Sequence, residues 1–350
     1  MRRKTVCVSF GHLNSFDAGL GEFAFRLGSG LVEQVSEFHD NGLELAFHLA
    51  PHLHGRFGNS VGYLPYRRRQ EYLRWHMPGC ALWHNAFQHN ITRPPVEARQ
   101  RLLTVHDLNY RYLPQGPGAW RDRLRTWLAV ARSNELICIT QYVARDVESS
   151  FAASSRPISV IYNGATDLTT IAQTPVPELE GRKFMFHMSR MAPSKNVESL
   201  LALARIWPEQ TFVFSGPEWG HALALRERVS GSMPNVRFLL AVSESTKAWL
   251  LANCQAFLFP SLTEGFGLPP IEAMHFGTPV FLSDRTCLPE IGADRVGYFG
   301  DFEPWAMRRL IEAELPRLEG SRQLTRQRAA MFTWDSCVDG YFDAYKRALA

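Results

Sequence analysis

A strand, a glycine-bracketed loop, a short helix and a second strand follow one another between Phe259 and Ser283, in FPSLTEGFGLPPIEAMHFGTPVFLS. That order predicts a ligand-binding βαβ corner. The apolar run Gln255 to Phe259 reads as a buried strand, and Pro260 ends it because proline cannot join a central ladder. Pro269 and Pro270 suit the start of a helix, which Gly277 and Pro279 terminate. The helix is therefore expected to start at about Pro269, with its free N–H groups and positive dipole end directed at Glu264 to Leu268, where an anionic group would bind. Glu264 falls in the loop, and Glu272 in the first helical turn facing the same opening. Gly265 and Gly267 remove side chains between them, so backbone amides can approach a ligand. A glutamate in a first helical turn also has a purely structural use, stabilising the dipole.

Glu264-Gly-Phe-Gly-Leu-Pro-Pro-Ile-Glu272, continuing as Ala-Met-His-Phe-Gly-Thr-Pro-Val, resembles the signature of the family 4 retaining glycosyltransferases. The resemblance implies an α/β protein of the GT-B type. Two Rossmann-like domains would face each other across a cleft, and a C-terminal helix would cross back to the first domain. It implies a nucleotide diphosphate sugar as donor, with Glu272 on the ribose hydroxyls and Glu264 beside the donor sugar. The amides of Phe266, Gly267 and Leu268 would bind sugar hydroxyls and diphosphate, in a donor loop that includes Gly265.

With 350 residues, 45% of them hydrophobic, the chain can bury two cores. A net charge of +4 is too small to argue for nucleic acid and suits an anionic substrate or a membrane surface. Cys7, Cys80, Cys138, Cys254, Cys287 and Cys337 form no CxxC pair, which favours buried free thiols in a reducing compartment. The N-terminal apolar run is too short for a secretory signal. No run reaches the roughly 20 apolar residues that cross a bilayer. A cytoplasmic protein is expected, with peripheral contact at the inner membrane face left open.

In the first domain, Thr5 to Phe10 reads as a strand and Gly11 to Ala18 as a loop. Gly19-Leu20-Gly21 opens a helix to about Glu37, with Phe23, Leu27, Leu31 and Val35 on its inner face. GLGEFA is not the GxGxxG fingerprint, so a dehydrogenase is set aside. The resemblance instead lays Gly19 and Gly21 against donor diphosphate and acceptor. Leu43 to Leu49 is a second strand. Arg67-Arg68-Arg69 has two readings, a solvated helix face or a contact for acceptor or membrane. His84, Asn85, His89 and Asn90 read as satisfied structural groups. His106-Asp107 ends the strand Leu102 to Val105, at the sheet edge where ligands bind. The resemblance gives His106 a contact with the donor sugar near its anomeric carbon, and Asp107 an orienting part. Ala119 to Arg132 reads as an amphipathic helix with Arg121, Arg123 and Arg125 on a solvated polar side. Asp167 to Gly181 reads as the linker, dividing the chain into residues 1–168, 169–330 and a returning helix at 331–350.

The second domain starts with the strand Lys183 to Met188. Arg190 and Lys195 follow, a fork of donors and a point charge able to clamp a diphosphate ahead of a helix near Asn196. By resemblance they bind the donor phosphates and stabilise the leaving group. Ser215-Gly216-Pro217 departs from the family's more frequent Gly-x-Gly. The reaction expected is transfer of a hexose of mannose or glucose type, from a GDP or UDP sugar to a glycan or lipid-linked glycan. It suits bacterial surface polysaccharide or lipopolysaccharide assembly. His106, Glu264, Arg190 and Lys195 would carry catalysis, with no metal and no cofactor beyond the donor, because cations, dipole and amides stabilise the departing charge. Two other readings are a nucleotide-sugar epimerase, which needs no acceptor, and a non-catalytic sugar-nucleotide-binding subunit.

Overall fold

The computed structural model describes residues 4–17, 19–112, 116–151 and 156–350. Ala18, the end of the expected first loop, and Met1 to Arg3 lie outside the described residues. The chain forms two compact units, residues 1–164 with 333–350, and residues 165–332.

Unit 1 is built on β1 (Lys4–Ser9), β2 (Leu43–Leu49), β3 (Gly62–Pro65), β4 (Cys80–Asn85), β5 (Gln100–Val105), β6 (Glu135–Cys138) and β7 (Ile158–Val160). All pairings are parallel, in the order β3-β2-β1-β4-β5-β6-β7. Strand order reverses between β1 and β4, the position where such sheets open a crevice at their carboxyl ends. The helix Leu20–Glu33 buries Phe23, Leu27 and Leu31 as its spacing requires. It ends at Gln34, and a separate short helix Val35–Asp40 follows, so the expected single helix to Glu37 is two.

The final helix Trp334–Leu349 belongs to unit 1. Thr333 caps it by accepting the Ser336 N–H at 3.1 Å, and it buries Tyr341 and Tyr345 completely. Both phenols end in a polar cluster: His84 Nδ1 lies 2.8 Å from Tyr345 Oη, His84 Nε2 is 2.8 Å from Thr104 Oγ1, and Thr104 Oγ1 is 2.9 Å from Tyr341 Oη. Asn90 Nδ2 donates to Ser9 O and Ser9 Oγ at 3.0 and 2.8 Å. His84, Asn85 and Asn90 are thus satisfied structural groups as expected, whereas His89 departs from that reading, its Nε2 being buried without a hydrogen-bond partner among the described residues.

Unit 2 holds β8 (Phe184–Met188), β9 (Thr211–Gly216), β10 (Val236–Leu240), β11 (Ala256–Phe259), β12 (Val280–Ser283) and β13 (Gly297–Phe299). They too are all parallel, in the order β10-β9-β8-β11-β12-β13. Every residue of β11 and β12 is buried. Both strands therefore read as unbroken apolar runs, because helices cover the two faces of a parallel sheet. Each large side chain so buried contributes about 1.5–3 kcal/mol.

The segment expected to be a linker is part of unit 2. Leu168, Val176 and Leu179 are buried, and Thr174 N–H donates to Ser245 O at 3.1 Å. Two short 3-10 helices, Leu168–Thr170 and Pro177–Leu179, carry Leu168 and Leu179, and Val176 directly precedes the second; turns that short show no helical or strand period. All six cysteines are free and buried, as their scatter through apolar runs implies.

Candidate functional site

The site in unit 2 forms where β8 and β11 adjoin, the point at which its strand order reverses. After β8 the chain turns through Ser189 to Ala192, makes a 3-10 turn at Pro193–Lys195, and enters the helix Val197–Ile206. His187 fixes this turn. Leu258 O can only accept, so His187 Nδ1–H donates to it at 2.8 Å, and Nε2 accepts from Ser189 Oγ–H at 2.7 Å. Ser189 Oγ in turn accepts the Met191 N–H at 2.9 Å. Both neighbours of Arg190 are thus tied to β11 through one imidazole. Arg190 itself is exposed and makes no hydrogen bond or ion pair with any described residue.

Lys195 is paired and largely buried. Its ammonium forms an ion pair with Glu264 from the loop after β11, the two side chains being only 13% and 12% exposed. It also lies 5.8 Å from the centre of the Phe259 ring. One carboxylate of the expected donor loop therefore holds the expected phosphate-binding lysine in place.

The loop is held rigidly from behind. Glu264 N–H donates to Thr286 Oγ1 at 3.1 Å, and Cys287 Sγ–H lies 3.4 Å from Glu264 O and 3.2 Å from Phe266 O. Phe266 is buried, edge-on to Phe332 with centroids 5.7 Å apart. Gly267 has φ of +107°, and a Cβ there would come within 3.0 Å of Leu288 Cδ2. Only glycine fits both the conformation and the space.

The helix following the loop is Leu268–His275, one residue earlier than expected. Gly267 in the left-handed region breaks the chain, and Leu268 already belongs to the helix. Glu272 is consequently its fifth residue, past the first turn in which it was expected. Its carboxylate accepts from Lys247 Nζ at 2.9 Å, with the glutamate 7% and the lysine 13% exposed. Lys247 comes from the neighbouring helix Glu244–Asn253.

In unit 1, Gly19 starts the first helix at φ of +55°. Gly21 lies two residues on, where a Cβ would meet Ser15 O at 2.6 Å. His106 is buried at the end of β5. Its Nε2–H donates to Ala86 O at 2.9 Å, which leaves Nδ1 as the acceptor, and its ring stands edge-on to Phe23 at 4.5 Å. Asp107 Oδ1 accepts the Asn109 N–H at 3.1 Å, so it shapes the loop. Arg67, Arg68 and Arg69 are all exposed around a short 3-10 turn, Arg68–Glu71.

Burial lowers the imidazole pKa from its ordinary value of 6.5 to about 4 in His48, His106 and His187, and to about 3 in His84. All four are neutral at pH 7. Below about pH 6.5 the unfolded chain binds protons that these folded sites refuse until about pH 4. The stability they contribute is present above that window and lost through it, on the order of 1.4 kcal/mol per pH unit for each group. Unit 1 holds three of the four and is expected to lose stability more steeply on acidification. Calorimetric transitions followed between about pH 6.5 and 4.5 check this, and equal acid slopes for the two units would contradict it.

Residues 171–315 match the family model described as glycosyl transferases group 1. The matched segment falls within unit 2 and contains Arg190, Lys195, Lys247, Glu264 and Glu272. Among curated relatives, the chain is 27% identical over 199 residues to the O-antigen chain mannosyltransferase RfbU of Salmonella typhimurium, an alignment covering 55% of this chain and 54% of that protein. It is 28% identical over 280 residues to O-antigen chain mannosyltransferase B of Escherichia coli, covering 72% of this chain and 71% of the relative. The first alignment thus spans about half of the relative's length. The fold is shared with a sucrose-phosphate synthase from Thermosynechococcus elongatus at a TM-score of 0.71, with 19% identity and 99% of each chain covered. The expected α/β class, two Rossmann-like units as in GT-B glycosyltransferases, is borne out by the two sheets and this likeness.

Among the expected site residues, the structure brings Lys195 and Glu264 into contact and sets Glu272 on Lys247. Sequence reasoning missed two groups, His187 and Lys247. His187 had a signal, a lone imidazole in the apolar strand FMFHM two residues before Ser189. Lys247 had none, being one lysine in a helix that shows little amphipathic pattern.

Proposed function

We propose that the chain is a glycosyltransferase that moves a hexose from a nucleotide diphosphate sugar to a glycan or lipid-linked glycan acceptor in surface polysaccharide or lipopolysaccharide assembly. The observation that carries this reading is the cationic turn of the matched segment, where Lys195 is clamped by Glu264 and exposed Arg190 is held between two tied neighbours. Such an arrangement is preorganised for charge that develops on a departing diphosphate. The names of the two O-antigen relatives favour mannose over glucose, and hence a GDP sugar over a UDP sugar. Unit 1 would serve the acceptor, with His106 as a neutral imidazole beside the donor sugar. The cations and loop amides supply the electrostatic stabilisation that a metal supplies in other transferases, so the reaction is proposed to be metal-independent. Its place is the cytoplasm, at the inner face of the membrane.

Thermal unfolding with GDP, UDP, ADP and dTDP and their common sugars, without added metal, tests the donor site. One nucleotide family at a hundred times its Kd is expected to stabilise the protein by about 2.7 kcal/mol, which is roughly 5–11 °C for a unit of this size. Absence of a shift with all of them would overturn the reading.

A further inference from the structure

The helix Pro117–Ala131 of unit 1 is inverted relative to a normal surface helix. It buries small side chains, Thr126, Ala129 and Val130, while Trp120, Leu124 and Trp127 are 67%, 57% and 53% exposed. These three recur at i, i+4 and i+7, which places them in one stripe. The solvated polar side expected for this helix is thus shared with an apolar one. Arg121, Arg123 and Arg125 interleave with the stripe, and Asp122 is the single acid in the helix, three positive charges against one negative. Arg123 lies 5.7 Å from the Trp120 ring centre. Beside Trp120 a groove of about 350 Å³ opens, lined among others by Arg123 and by the Ser149 and Ser150 hydroxyls.

We infer that this helix lies on an anionic phospholipid bilayer, with Trp120, Leu124 and Trp127 entering the headgroup boundary and the arginines meeting lipid phosphates. Two exposed indoles around a leucine, bracketed by arginines, have the composition of helices that bind in the interface plane. The positive charge complements an anionic surface. Arg123 gives the groove a guanidinium in reach of a headgroup phosphate, while the Ser149 and Ser150 hydroxyls are held by donating to Asp146 O. A second copy of the chain is the poorer occupant. A helix of 15 residues is about 22 Å long and presents roughly 220 Å² on one face, well short of the ~800 Å² per partner of a stable interface. A bilayer accepts a single helix face. No described helix is long and apolar enough to span a membrane, so the contact is made from the surface. It deepens the proposed location at the membrane but needs neither donor nor turnover for its test.

The test is co-sedimentation of the full chain with vesicles of phosphatidylcholine alone and of phosphatidylcholine with phosphatidylglycerol, alongside a tryptophan emission scan. Binding is expected to the anionic vesicles, with a blue-shifted emission and a loss at raised salt. W120S/L124S/W127S is expected to weaken binding about tenfold or more, and R121Q/R123Q/R125Q to abolish the preference for phosphatidylglycerol. The serine variant changes exposed positions and the glutamine variant two exposed positions and the half-buried Arg125, and an unchanged circular dichroism spectrum and nucleotide response show that the fold and donor site are intact. Vesicle binding by the triple serine variant equal to that of the unaltered chain would overturn the inference. So would the absence of binding to either vesicle, or a dimer in solution that the serine variant dissolves. A nucleotide response without vesicle binding sinks this contact alone, whereas vesicle binding without a nucleotide response sinks the donor reading alone.

Discussion

Lys195→Ala is expected to lower kcat/KM by about 10²–10³-fold, the loss typical when one preorganised donor to a developing charge is removed. The lysine sits at the reversal point of the unit 2 sheet, with its side chain 13% exposed and its ammonium on Glu264. A positive charge there is little screened by water, so it acts strongly on any phosphate placed beside it. Loss of a simple surface ion pair would have almost no effect. Lys195→Arg keeps the charge but exchanges a compact ammonium for a planar fork, and is expected to recover activity only in part.

A rival account gives Lys195 the sole task of neutralising Glu264, and the pair of variants separates the two. Under the rival account K195A/E264Q regains the activity lost in K195A, because no uncompensated carboxylate remains. If Lys195 meets the diphosphate directly, the double variant stays as slow as K195A. Steady-state rates with the nucleotide sugar selected by the thermal panel decide the matter, and full recovery in the double variant would sink the direct role.

The fold was legible because parallel strands covered on both faces are apolar throughout. AFLF and VFLS could hardly be anything else, and prolines and glycines marked the ends of the helix between them. The loop from Glu264 to Leu268 was legible for the same reason, since Gly267 serves a backbone conformation that other residues avoid. Partners across the fold were not legible. Nothing in the spacing of Glu264 and Lys195, 69 positions apart, says that they touch, and the support that Cys287 and Thr286 give the loop arises only once the strands are in order. The linker reading failed where short 3-10 turns bury Leu168 and Leu179, with Val176 beside the second, without a period. The reading of Ala119 to Arg132 as a helix with its arginines towards solvent holds, but the exposure of Trp120, Leu124 and Trp127 beside them was not legible. Sequence periodicity identifies an apolar stripe but does not tell which side of it meets the sheet.

Lys247 and Glu272 form the second pair, and changing one of them alone is expected to damage the fold as well as donor binding. The carboxylate is 7% exposed and its oxygen accepts from the ammonium at 2.9 Å. A further acid near the lysine, Glu244, stands 3.7 Å away and 65% exposed, too solvated to replace it. Lys247→Ala leaves the Glu272 charge without this cation, and loss of one partner of a buried pair costs on the order of 3 kcal/mol. For a unit of this size that lowers its transition by roughly 6–12 °C. Glu272→Ala removes the carboxylate that lies 2.9 Å from the lysine and should cost a similar amount. K247M/E272Q removes both charges together and is expected to unfold within a few degrees of the unaltered protein, since replacing a whole buried pair by neutral groups is often nearly free. Donor binding is where the double variant differs. If the Glu272 carboxylate reads the ribose hydroxyls, affinity for the nucleotide falls by about 10–100-fold, the value of a hydrogen bond to a charged group, although stability has returned. Calorimetric unfolding and titration with the nucleotide on the same three variants separate the two effects. A stable double variant that binds the nucleotide as well as the unaltered chain would make Glu272 a structural residue, held by Lys247 to join two helices and nothing more.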